Sequence, residues 1–134
     1  MPLPQIGDKA EMTKQISDSD IRTFADLSGD TNPVHLDEEA GKNSRFGKRV
    51  AHGMLSASLI SAVLGKQLPG EGSIYLGQNL KFKAPVFIDD VVTVTVEVTA
   101  LREDKGIVTL KTTCTNQGGT VVIDGEATVL VPSD

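Results

Sequence analysis

Residues 29–37 read Gly-Asp-Thr-Asn-Pro-Val-His-Leu-Asp and set a carboxylate, Asp30, five positions ahead of an imidazole, His35. An ionised aspartate is a base, and a histidine takes up or releases a proton near neutral pH, so the pair could activate water and relay a proton. Pro33 fixes its own φ and pushes Asn32 out of the helical region, so the chain turns between the two side chains. Such a turn can bring both to one point. The competing reading is an aspartate that caps a helix and a histidine bonded to it, both common arrangements. Asn32 divides in the same way, between holding the reacting water and closing an Asx turn ahead of proline. Asp37, followed by Glu38, Glu39 and Ala40, reads as a helix cap.

The elements around this run can be inferred from periodicity. Ser17 and Asp20 form a capping-box pattern, and Ile21, Phe24, Ala25 and Leu27 recur at helical spacing until Gly29. A second short helix starts at Asp37 and breaks between Gly41 and Gly47. The basic residues beside it, Lys42, Arg45, Lys48 and Arg49, read as solvated surface. From His52 to Gly65 apolar residues fall on every side of a helical wheel, and a helix apolar all round is buried all round. Beyond it the pattern is strand. Apolar residues alternate over 73–82 and 91–101, and turns at Arg102-Glu-Asp-Lys-Gly and Asn116-Gln-Gly-Gly introduce strands over 107–115 and 120–131 that pair antiparallel. Pro85 marks 83–90 as a bend, and 9–16 adds a fifth strand. A curved antiparallel sheet around one long apolar helix is the hot dog fold, an α+β architecture, in a single domain over residues 1–134. Its open sheet edge favours a homodimer joined strand to strand.

Composition narrows the partners. The 134 residues carry a formal net charge of −5 with the acids scattered, so the basic footprint that nucleic acid requires is missing. Cys114 is the only cysteine, which excludes an internal disulfide and a cysteine-rich metal site. No stretch approaches the ~20 apolar residues of a membrane helix, and the first residues lack a signal-peptide pattern, so the cytoplasm is the expected location.

Together, the run 29–37, Ala51-His52-Gly53-Met54-Leu55 and Gly72-Ser-Ile-Tyr-Leu-Gly-Gln resemble the MaoC-like (R)-specific enoyl-CoA hydratases over nearly the whole chain. Within that family the likeness is to the short bacterial hydratases that supply (R)-3-hydroxyacyl-CoA for polyhydroxyalkanoate synthesis. The resemblance implies reversible addition of water to a trans-2-enoyl-CoA thioester, with Asp30 activating water and His35 assisting proton transfer. Charge developing on the thioester oxygen calls for fixed amide donors, and Gly53, at the start of the long helix, is the candidate. Its plainer role is close packing at that helix start. Ser61 and Leu64 are candidates for the acyl tunnel, with core packing as the competing role. The coenzyme A phosphates need cations, for which Lys42, Arg45, Lys48, Arg49, Lys81 and Lys83 are candidates by charge alone. Hydration changes no oxidation state, so no metal or redox cofactor is implied. The rivals are dehydration of (R)-3-hydroxyacyl groups on acyl carrier protein, thioester hydrolysis, and a non-catalytic acyl-thioester binding module.

Overall fold

The computed structural model describes residues 1–133. Strand β1 (Lys9–Gln15) leads into helix α1 (Asp18–Ser28) through the expected capping box. Ser17 Oγ accepts from the Asp20 amide at 3.1 Å, and Asp20 Oδ2 accepts from the Ser17 amide at 3.0 Å. Gly29 ends α1 with φ +82°, a left-handed conformation that costs glycine little. Where the sequence suggests only a turn, there is a one-turn helix α2 (Pro33–Leu36). Pro33 takes the first helical position, where a missing N–H is harmless, and Asn32 Oδ1 caps the helix by accepting from the Val34 amide at 3.3 Å. Helix α3 (Glu38–Lys42) follows, capped by Asp37 Oδ2 on the Ala40 amide at 3.0 Å.

The long helix α4 (Gly53–Lys66) is followed by β2 (Ile74–Phe82), β3 (Val91–Arg102), β4 (Ile107–Thr115) and β5 (Val121–Leu130). All pairings are antiparallel, in the order β1-β3-β4-β5-β2. Strands β3 to β5 form the meander that their turns imply. Strand β2 crosses to pair with β5 and becomes an outer edge, with a register shift between Tyr75 and Gly77.

One face of the sheet makes the core. Val92, Val94, Val96 and Val98 of β3 are fully buried, as are Val108, Leu110 and Cys114 of β4. Helix α4 lays Leu55, Leu59, Ile60, Val63 and Leu64 against them. Each such side chain contributes about 1.5–3 kcal/mol by leaving water, which fixes the helix to the sheet. The expectation that α4 is buried all round fails on one side: Met54 is 54% exposed, and Ser58, Ser61 and Ala62 also face outward. Five strands cover only part of a helix's circumference, and the outward stripe is where the small residues fall.

Candidate active site

The turn after α1 and the start of α4 converge at one end of the helix. Asp30, His35 and His52 each bring a ligand-type atom within 4.8 Å of the others. They stand at the polar end of a cavity of about 600 Å³ whose other walls include Met54, Phe82, Val86, Val122 and Ile123. The sequence pair therefore comes together as its turn suggested.

Local hydrogen bonds set each group. The Asp30 carboxylate accepts from the Asn32 amide at 3.2 Å, and the Asp30 amide donates to Ser28 Oγ at 3.1 Å. His35 Nδ1 lies 2.7 Å from the Val50 carbonyl oxygen. A carbonyl can only accept, so Nδ1 carries the proton and Nε2 is left for the cavity. His52 Nε2 lies 2.8 Å from the Asp30 carbonyl oxygen and by the same reasoning carries its proton there. The two imidazoles stack, with centroids 3.9 Å apart and planes 26° from parallel, and Phe24 packs on the far side of His52. His52 is 2% exposed and ties the helix start to the Asp30 turn through a backbone carbonyl. Three such residues suggest a metal site. The stacking argues otherwise, because lone pairs lying in nearly parallel planes do not meet at one ion about 2 Å from each nitrogen.

Gly53 opens α4, so its N–H is among those without an intrahelical acceptor. The Phe82 ring lies close against it: a Cβ at Gly53 would fall 2.6 Å from Phe82 Cε1. A side chain here would have to displace the Phe82 ring, whatever the Gly53 amide does. Neither Ser61 nor Leu64 lines the cavity. Ser61 lies on the exposed stripe of α4 and Leu64, 2% exposed, in the core.

Among the six basic candidates only Arg45 and Lys83 line the cavity. Lys48 sits over the Phe87 ring at 4.2 Å. Arg49 corrects the reading of 42–49 as solvated surface, since it is 5% exposed. Its Nη2 donates to Asp18 Oδ1 at 2.5 Å, its Nη1 to Glu38 Oε1 at 3.0 Å and its Nε to the His35 carbonyl at 2.8 Å. Hydrogen bonds from Arg49 and then Arg22 hold the Asp18 carboxyl below its usual range. Burial works against the Arg49 charge, but the bonds to Asp18 and Glu38 outweigh it and raise its pKa. Sequence pattern gave no sign of Arg49's burial, because its acids lie 31 and 11 positions away. Ser56 was missed too. It lines the cavity, and among the described residues its Oγ and His52 Nδ1 are the buried side-chain atoms without a hydrogen-bond partner.

A sheet curled over one helix, with a carboxylate and an imidazole at the mouth of an apolar cavity, defines a hot dog protein with an acid–base site. Residues 4–119 match the model of the MaoC like domain, and the chain belongs to that family. It is 58% identical over 127 residues to an (R)-specific enoyl-CoA hydratase of Rhodospirillum rubrum, covering 95% of this chain and 88% of the other. The solved (R)-hydratase of Aeromonas caviae involved in PHA biosynthesis superposes with a TM-score of 0.93 at 52% identity, over 96% of this chain and 98% of that one. A 3-hydroxybutyryl-CoA dehydratase of Methylorubrum extorquens is 48% identical over 128 residues, 96% of this chain and 81% of the other.

Proposed function

We propose that this chain is an (R)-specific enoyl-CoA hydratase, adding water reversibly to trans-2-enoyl-CoA to give (R)-3-hydroxyacyl-CoA. The observation that carries the proposal is the meeting of Asp30 and His35 at the polar end of an apolar cavity in a chain of this family. The Asp30 carboxylate takes a proton from water as its oxygen bonds to C3. The π electrons of the double bond move toward the thioester, whose oxygen gains charge beside the Gly53 amide. His35 Nε2, which faces the cavity without a proton, takes that proton from Asp30 and gives it to C2, so both groups end as they began. Nδ1 stays on the Val50 carbonyl throughout, so ring orientation is kept whichever form His35 takes. Arg45 and Lys83 at the cavity wall suit a phosphate-bearing carrier.

The active species in this reading is a homodimer. Its support is the edge strand β2, on which Ile74, Tyr75, Leu76 and Phe82 are 40–54% exposed. A second copy on that edge would also cover the outward stripe of α4 where Ser61 lies, and an acyl tunnel at Ser61 would need that copy's wall. A lone cysteine in reduced form suits the cytoplasm.

The test is crotonyl-CoA with the wild type, Asp30→Asn and His35→Ala, following loss of enoyl absorbance and resolving the product by chiral chromatography. The wild type makes (R)-3-hydroxybutyryl-CoA, and each variant loses about 10²–10⁴-fold in turnover while keeping its fold. Free coenzyme A as the product would indicate thioester hydrolysis instead. Faster reaction of the acyl carrier protein thioester would move the substrate to that carrier.

A further inference from the structure

The groups that hold His35 in place come from one dipeptide. The Val50 carbonyl accepts the His35 Nδ1 proton, and the preceding residue, Arg49, donates from Nε to the His35 backbone carbonyl. The Val50 amide also reaches the Val34 carbonyl at 3.3 Å, so residues 49 and 50 grip both the backbone and the ring of α2. Arg49 is itself held from outside, by Asp18 at the start of α1 and Glu38 at the start of α3. Gly41 lets α3 lie flush on Arg49, since a Cβ there would be 2.5 Å from the Arg49 backbone nitrogen. A planar guanidinium can serve three acceptors in fixed directions, which an ammonium cannot.

A buried guanidinium paired with half-exposed and exposed carboxylates is weak support for stability, because its own loss of water offsets most of the attraction. Such an arrangement does fix position. We propose that Arg49 is a positioning residue for His35, transmitting the placement of α1 and α3 to the imidazole through the His35 carbonyl and the Val50 carbonyl. This rests on the reading of His35 as the proton-transfer group. Arg49 touches no reacting atom; its effect runs through the tautomer and direction of the ring.

The chain has two histidines, so a long-range ¹⁵N–¹H spectrum shows two imidazoles and reads the tautomer of each. The expected wild-type result is His35 protonated at Nδ1. In Arg49→Lys the His35 signal shifts toward a mixture of tautomers, kcat falls about 10- to 100-fold, and KM stays within about twofold. The double variant Asp18→Ala, Glu38→Ala leaves Arg49 present but without its two outer acceptors and moves both readouts in the same direction. It serves should Arg49→Lys fail to fold. Wild-type tautomer and kcat in either folded variant overturn the proposal and leave Arg49 a packing residue. Wild-type activity in His35→Ala sinks the reading of His35 instead, and a tautomer shift in Arg49→Lys would still show the bracket to be real.

Discussion

Strands β2 and β3 both carry alternating apolar residues and sit in different surroundings. β3 has a strand on either side and α4 across one face, and its four inward valines are fully buried. β2 has only β5 beside it, and its apolar side chains stay 40–54% exposed at Ile74, Tyr75, Leu76 and Phe82. An alternating pattern reports a face that can be buried, and the position in the sheet decides what buries it. In β3 that is the chain's own helix. In β2 the outer edge is unpaired among the described residues and the apolar side chains stay in water, the feature on which the proposed dimer rests.

Breaking the buried side should have the largest effect. Val96→Asp puts an unpaired charge among valines, a penalty of several kcal/mol against a total stability of about 5–15 kcal/mol. No cooperative thermal transition by circular dichroism is expected; a folded Val96→Asp would mean that the interior of β3 is not closed. On the edge, Leu76→Glu should keep the fold and separate the chains, moving sedimentation from two copies to one. A wild type that already sediments as one copy would leave the apolar edge with some other purpose.

Thiol chemistry sharpens the contrast. Burial pushes the Cys114 thiol up to about 12 from an ordinary 9.0. Thiolate supply falls tenfold for each pKa unit, so Cys114 should react about 10³-fold more slowly than the thiol made by Thr23→Cys on the exposed face of α1. Competitive labelling followed by mass spectrometry reads the ratio. The smallest effect lies between interior and edge, at Asp18, whose half-exposed carboxylate meets buried Arg49. Its folded pKa lies below its unfolded 3.8, so its contribution is fully present above that value and is lost as pH falls through the folded one. Melting at pH 6 and pH 3 should show Asp18→Asn less stable than wild type at the higher pH, with a narrower gap at the lower.

Much of this molecule is legible in one dimension because its signals are local. The capping box at Ser17, the stop at Gly29 and the alternation in β3 each depend on residues within a turn or a strand. Asp30 and His35 meet because a proline forces the turn between them. The one-turn α2 escaped notice since four residues are too few to show a period. Arg49 looked like surface because its burial depends on acids from two other helices. The exposed stripe of α4 and the place of Ser61 outside the cavity depend on how far the sheet wraps, and composition does not encode that. The crossing of β2 to β5 is likewise a matter of topology.

Phe82 closes β2 and packs against Gly53 at the cavity wall, so an outer strand of the sheet also supplies part of the site. If the proposed dimer forms on β2, specific activity would follow mass action: dilution below the dissociation constant of the pair would free Phe82 and lower the rate per chain, with every catalytic side chain intact.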